Sequence, residues 1–303
     1  HTAETQYRSG GLPPPLAGIP GSLKDLTATK GVRTTRGSLL TADWVPDFDA
    51  PLVTRLRDAG MVLLGKTNTP ELGWKGDSGN RVSGATHNPW RHGATPGGSS
   101  GGAAAAVVAD LGPLSQGTDG AGSIRIPAGL SGAFGFKPTW GSVPQFPASV
   151  VETLSHAGPI TRTVEDAVLM LAAMAGADAR DRSSMAPDVV SLTDIEGDIA
   201  GLRVAWSPDL GYAAVDPAVA DVAAAAARRF EELGCIVEQT HPDVEDPWQI
   251  VHTMWSSAFA AYFKDSFAEV RDQLTPGLAE VIDQGLAFRG TDVAAAYIER
   301  NAY

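Results

Sequence analysis

The sequence predicts an α/β fold, with helices packed on both faces of a sheet. Three observations carry this expectation. A strand-helix-strand unit runs from Leu202 to Gln239, and helix and strand patterns alternate elsewhere in the chain. Hydrophobic residues make up 43% of the 303 positions and charged residues only 19%. That is enough apolar material for a substantial core, in one large domain or two ordinary ones.

The elements follow in order. Leu16 to Leu26 mixes apolar residues with Gly and Pro and reads as a short strand and turn. Ala50 to Ala59 carries Leu52, Val53 and Leu56 at helical spacing, with Gly60 as the stop. Met61 to Leu64 is a four-residue apolar run, the pattern of a buried strand. Gly101 to Leu111 is rich in Ala and Val and predicts a tightly packed buried helix. Thr163 to Met174 predicts an amphipathic helix with Thr163 as N-cap and Asp166 three residues on. Leu202 to Trp206 predicts a strand. Asp216 and Pro217 then open an Ala-rich helix that Gly234 closes, and Cys235 to Gln239 predicts the returning strand. From Trp248 onward the pattern is helical, with aromatic residues that suit a core better than a pocket. The first fifteen residues read as an unstructured lead-in, with no signal-peptide pattern. Asp292 to Tyr303 reads as a helix without a cap, so both ends read as cut.

Composition excludes several function classes. Acidic residues outnumber basic ones by 35 to 23, a formal charge of −12. Such a chain has no global pull toward nucleic acid or anionic lipid. No apolar run reaches the length of a membrane span. Cys235 is the single cysteine, so no internal disulfide or all-thiolate metal site is available. The expected setting is cytoplasmic.

Glycine is the unusual feature. The chain has 34, and 14 of them fall in the 58 residues from Gly84 to Gly141. Glycine weakens helices and strands, so this segment is either a linker or a place where backbone must approach something closely. The apolar helix predicted directly after the first cluster argues against a linker.

Two motifs mislead. Gly60 to Thr67 fits GxxxxGK[ST], but Met61, Val62, Leu63 and Leu64 belong inside a strand, which cannot curl its amides around phosphate. Gly97 to Gly101 fits GxSxG, the turn that presents a nucleophilic serine in another hydrolase fold. His156, His241 and His252 lie downstream, so a histidine-based triad stays open on composition. Asp77-Ser78-Gly79 matches only a fragment of a serine-protease signature. The six histidines show no HExxH and no paired metal-ligand spacing.

The linked motifs from Leu16 to Ala167 resemble the amidase signature family of serine hydrolases. They are GIPGSLKD (Gly18 to Asp25), LLGKTNTPELG (Leu63 to Gly73), GGSSGG (Gly97 to Gly102), GTDGAGSIRIP (Gly117 to Pro127), GFKPTWG (Gly135 to Gly141) and HAGPITRTVEDA (His156 to Ala167). The resemblance is weaker from there to Tyr303. It implies one α/β domain over residues 1–303, partial at both ends, with a central mixed sheet covered by helices. Residues 16–167 would form the catalytic core and 190–303 a helix-rich, substrate-side region.

The resemblance assigns Ser123 as nucleophile, Ser99 as a bridging serine in a cis peptide bond, and Lys24 as base. The chemistry is intelligible: a serine hydroxyl is a weak nucleophile until a base takes its proton, and burial lowers a lysine pKa into the working range. Backbone N–H groups of Gly120, Ala121, Gly122 and Ser123 would form the oxyanion hole. Ser100, Thr118, Asp119 and Arg125 would support the loops, Asp119 and Arg125 as an ion pair. Asp25, next to Lys24, is expected to point the other way as a structural partner.

Three positions depart from the family pattern. Ala121 stands where the family has glycine, so either its φ is negative here or the hole is reshaped; an alanine there also resembles hydrolases of nylon-type cyclic amides. Ser155 stands where an acid is frequent, with a structural effect expected. Ile126 stands where the amidase subunit of a tRNA-dependent amidotransferase carries Gln.

The expected function is therefore hydrolysis of a carboxylic amide C–N bond through an acyl-enzyme, with no cofactor and no metal. The amidase subunit of a tRNA-dependent amidotransferase is the alternative enzyme reading, and a non-catalytic amide-binding member or inactive fragment is the alternative outside enzymes. The expected partner is a small amide, with ester and carbamate also open. No nucleic acid or membrane partner is expected, and a homodimer is left open.

Overall fold

The computed structural model describes residues 2–8, 12–186 and 191–303. Its backbone divides into two compact units, residues 1–192 with 259–283, and residues 193–258 with 284–303. Phe259–Asp283 therefore belongs with the first unit, although it lies in the sequence region expected to follow the catalytic core.

The first unit is built on a five-stranded mixed sheet, ordered β2-β1-β5-β7-β6. Its strands are β1 (Pro20–Lys24), β2 (Val62–Thr67), β5 (Leu114–Asp119), β6 (Phe134–Gly135) and β7 (His156–Thr161). β1 runs parallel to both β2 and β5, whereas β7 is antiparallel to β5 and β6. A separate hairpin pairs β3 (Gly79–Asn80) with β4 (Gly84–Ala85).

Helices cover the sheet because its strands alternate two apolar faces. Leu23, Leu114 and Ala157 join the cluster that packs against α2 (Pro51–Asp58) and α5 (Val164–Met174), through Leu52, Val53, Leu56, Met170, Leu171 and Met174. Ile160 and Ile124 join Ala103 and Ala104 of α3 (Gly101–Val108) in a second cluster. Between them in the chain, α4 (Arg125–Ser131) packs against α3. Each large apolar side chain removed from water contributes about 2 kcal/mol. The Ala-rich face of α3 contributes instead by allowing close approach. The fold class is thus the one expected, a mixed central sheet with helices.

Most local expectations hold. Thr163 caps α5, its Oγ1 accepting the Asp166 N–H at 3.1 Å. Asp216 caps α6 (Pro217–Glu232), and β8 (Arg203–Trp206) and β9 (Ile236–Gln239) pair in parallel around it in the second unit. The remaining helices are α7 (Trp248–Phe263), α8 (Phe267–Val270), α9 (Pro276–Ala287) and α10 (Gly290–Ala302). Of the aromatic residues there, Phe259 and Phe263 are buried while Trp248 and Tyr262 are exposed.

Two expectations are corrected. The opening residues include a helix, α1 (Thr2–Arg8), with an Arg8–Glu4 ion pair one turn apart and the Tyr7 hydroxyl donating to the Ala17 carbonyl. The apolar run Met61–Leu64 is not a fully buried strand. β2 is an edge strand, so alternation leaves Val62 and Leu64 at 43% and 55% exposure. No described helix is long and apolar enough to cross a membrane.

Candidate active site

Lys24 is the last residue of β1, and Asp119 is the last of the parallel neighbour β5. Side chains at the carboxyl ends of parallel strands face the crevice where such sheets bind ligands. Strand alternation puts Ser22 and Lys24 on one face: Ser22 Oγ meets Ser115 Oγ at 2.8 Å. Lys24 is fully buried, its Nζ lying 2.6 Å from Ser99 Oγ and donating to Thr118 Oγ1 at 2.8 Å. Burial lowers its pKa from 10.5 to about 7, against the pull of the Asp119 carboxylate.

Ser99 opens the turn before α3, and the Gly98–Ser99 peptide bond is cis. A side chain on Gly98 would drive its Cβ into the Asp77 carbonyl group. Only glycine fits there, which answers whether the glycine cluster is a linker. Ser100 ties this turn to β5: its Oγ donates to the Thr118 carbonyl and accepts the Thr118 N–H, at 3.1 and 3.2 Å. The Ser100 N–H donates to the Ser123 carbonyl at 3.1 Å. That bond brings the β5–α4 loop, with the buried Ser123, beside the Ser99 turn.

Asp119 organises the loop. Its carboxylate accepts from the Gly122 N–H at 2.7 Å and the Ile124 N–H at 3.1 Å, and from Arg125 Nη2 and Nε at 2.9 and 3.0 Å. Burial opposes its charge, but the Arg125 pair and the two loop amides outweigh it and hold its pKa below the ordinary value. Ser100 and Thr118 are thus in direct contact, as are Asp119 and Arg125.

The Gly122 N–H, one of the four amides expected in the oxyanion hole, donates to Asp119 Oδ1 at 2.7 Å. Gly122 has φ +112°, a conformation that side-chain-bearing residues rarely adopt, and a Cβ there would also press on the Ile126 Cδ1 end at 2.8 Å. The strained position is therefore Gly122 and not Ala121, which is absent from the non-glycine residues with positive φ. Alanine at 121 needs no special backbone.

The histidines are occupied elsewhere. His156 Nδ1 lies 3.1 and 2.9 Å from the carbonyl oxygens of Asp119 and Leu154. Its pKa is lowered, first by burial and then by Lys137. His241 pairs with Ser207 and Asp209, and His252 with Gln284. Lys66 of the phosphate-loop decoy sits within β2, its Nζ donating to the Thr27 carbonyl and, at 2.8 Å, to Thr29 Oγ1. Asp25 accepts from the Thr35 N–H and hydroxyl, a structural role as expected. Ser155 and Gln145 exchange two hydrogen bonds, at 2.8 and 2.7 Å. Among the described residues no group of three His, Cys, Asp or Glu is placed to hold a metal ion.

Sequence reasoning missed two residues. Ser78 Oγ accepts the Gly101 N–H at 2.8 Å and donates to the Ser99 carbonyl at 3.4 Å. The Asp77-Ser78-Gly79 fragment was the only signal for it. Gln116, fully buried, accepts from the Lys24 backbone N–H, and nothing in its neighbours marks it.

The Amidase family model matches residues 1–302. The chain belongs to the amidase family. Among amidase relatives it is 44% identical over 298 residues to an acylamidase of Rhodococcus erythropolis, covering 96% of this chain and 62% of that protein. It is also 44% identical over 227 residues to a glutamyl-tRNA(Gln) amidotransferase subunit of Acidothermus cellulolyticus, covering 74% of this chain and 45% of the relative. The solved structure of 6-aminohexanoate cyclic dimer hydrolase with substrate superposes with a TM-score of 0.89 at 31% identity, covering 99% of this chain and 66% of that one. The chain thus spans less than two thirds of the length of these amidases.

The Asp119 geometry makes a testable demand. Asp119→Asn leaves two loop amides and the half-exposed Arg125 without their charged acceptor, and is expected to cost about 2 kcal/mol of stability. Because the folded pKa is depressed, the carboxylate's contribution is complete above its unfolded value of 3.8 and is lost as pH falls from there through the lower folded value. Urea unfolding of both proteins should show the full gap at pH 7 and a narrowing gap as pH falls below 3.8.

Proposed function

We propose that this chain carries the catalytic centre of an amidase that cleaves a carboxylic amide C–N bond through an acyl-enzyme on Ser123. The observation that carries the reading is the buried Lys24 amine, 2.6 Å from Ser99 Oγ with its pKa pushed down to about 7. A lysine in that state accepts a proton near neutrality. Ser123 Oγ attacks the carbonyl carbon while its proton passes through Ser99 to Lys24. The oxyanion takes up N–H groups of Gly120, Ala121 and Ser123. The C–N bond then breaks as the proton returns through the relay to the leaving nitrogen. Water attacks the ester, gives its proton to the same relay, and Ser123 recovers its hydroxyl as the acid departs.

The substrate is proposed to be a small amide, in keeping with the acylamidase relative. A cyclic amide has the added support of the cyclic dimer hydrolase likeness. The amidotransferase likeness, equal in identity over a shorter span, favours glutamine hydrolysis as a second reading. Ile126, where such amidotransferase subunits carry Gln, weighs against it.

A fluorophosphonate probe tests the centre without knowing the substrate. Ser123 Oγ bonds to phosphorus, fluoride leaves, and the hydroxyl proton goes to the relay. One adduct is expected, on the peptide containing Ser123, together with turnover of at least one amide among aliphatic, aryl and cyclic substrates and glutamine. Turnover with the adduct on Ser99 or Ser100 would move the nucleophile. Neither labelling nor turnover would leave an amide-binding protein.

A further inference from the structure

β1 and β5 run side by side only as far as the pair Leu23↔Gln116. β1 ends at the next residue, Lys24, and the Gln116 side chain reaches across this end of the pairing. Its Oε1 accepts the Lys24 backbone N–H at 3.3 Å and the Thr27 hydroxyl at 2.8 Å. Its Nε2 donates to the Gly117 carbonyl at 2.7 Å. Gln116 is completely buried. The carboxamide therefore ties the end of β1 and the turn at Thr27 to β5. It accepts from one backbone donor on β1 and donates to a backbone carbonyl of its own strand.

The place of this contact matters. The N–H it holds belongs to Lys24, and the carbonyl it holds belongs to the residue before Thr118. Lys24 Nζ meets Thr118 Oγ1 just beyond the last β1–β5 pair. Unpaired backbone groups in the same place would draw in water.

We infer that Gln116 is a positioning residue for Lys24, fixing the end of β1 and the turn after it against β5 and keeping the join dry. The inference rests on the reading of Lys24 as base. The charged groups around the join are Asp119 and Arg125, paired beyond the end of β5, and Lys66 on β2 with Asp25 in the turn after β1. His156 faces Asp119 across the β5–β7 pair. Gln116 itself is neutral. Replacing it alters the hydration of Lys24 without removing any of these charges. Water at the join favours the ammonium form, so losing this contact moves the Lys24 titration upward.

The experiment measures the rate of fluorophosphonate inactivation against pH, with kinact separated from KI, for the wild type, Gln116→Leu and Gln116→Glu. Leucine fills the space and makes none of the bonds. Glutamate keeps the acceptor for the Lys24 N–H and adds a carboxyl that favours the ammonium. Both variants are expected to lose about fivefold in kinact at pH 7 with KI within twofold. In both, the acid limb is expected to move to higher pH by about one unit, and kinact to recover toward the wild-type value at pH 9.5. A merely structural glutamine would lower Tm and leave the limb of Gln116→Leu where it is, whereas the added carboxyl of Gln116→Glu moves its limb by charge alone. An unmoved limb in Gln116→Leu, or in Gln116→Glu if Gln116→Leu does not fold, overturns the inference. Lys24→Met is run alongside: full labelling in that variant overturns the base reading and this inference together. Loss of labelling in Lys24→Met with unmoved Gln116 variants overturns only the role of Gln116.

Discussion

Lys24→Met is expected to lower kcat by about 10³-fold, the middle of the range for removing a general base, with KM little changed. The wild-type rate is expected to rise with pH through about 7 and then level, because the working form of Lys24 is the neutral amine. Burial sets that value and Asp119 opposes it. In Lys24→Met the limb should vanish with the activity. Lys24→Arg should not rescue, since guanidinium stays protonated throughout. The stability side has its own sign. The folded pKa of about 7 lies below the unfolded 10.5, so the penalty for burying this lysine is complete below pH 7. It fades as pH rises from 7 to 10.5. The Tm of Lys24→Met relative to the wild type should therefore be higher at pH 6 than at pH 10. Kinetic pH profiles and thermal melts of the two proteins check both halves. Retained activity in Lys24→Met, with loss in His156→Ala, would transfer the base to histidine.

What was legible in the sequence was local or motif-borne. The cap at Thr163, the β8-α6-β9 unit and the Ala-rich α3 all follow from side-chain chemistry within a few residues. The Lys24, Ser99 and Ser123 segments stood out because glycine-dense loops next to apolar elements are costly unless backbone must come close. Gly98 against the Asp77 carbonyl is that approach. What escaped depends on partners far along the chain. Whether Met61–Leu64 lies inside or at the edge of a sheet is decided by which strand comes next to it, and no residue of the run records that. Gln116 reads as a polar residue in a strand until the fold brings the end of β1 and the Thr27 turn within reach of its carboxamide. The hydrogen bond from the Gly122 amide to Asp119 depends on a loop conformation that spacing alone does not determine.

The largest effect is expected from Ser123→Ala, about 10⁶-fold in kcat, as for loss of the nucleophile in a serine hydrolase. Several features indicate that the fold survives it. The contact tying Ser123 to the Ser99 turn is made by its backbone carbonyl, which alanine retains. The loop conformation is held by Asp119 through Gly122, Ile124 and Arg125, none of which involves the Ser123 hydroxyl. A Tm close to that of the wild type is therefore expected beside the lost activity. Ser99→Ala provides the contrast. It removes the group nearest Lys24 but leaves the nucleophile and the Gly120, Ala121 and Ser123 amides, so its loss should be smaller, and labelling of Ser123 should become slow without being abolished. The GxSxG turn makes the opposite ordering the informative failure. Full labelling of Ser123→Ala with none in Ser99→Ala would make Ser99 the nucleophile, activated directly by the lysine 2.6 Å away. The relay would then have one serine, and Asp119 would be ordering a loop that binds substrate without attacking it.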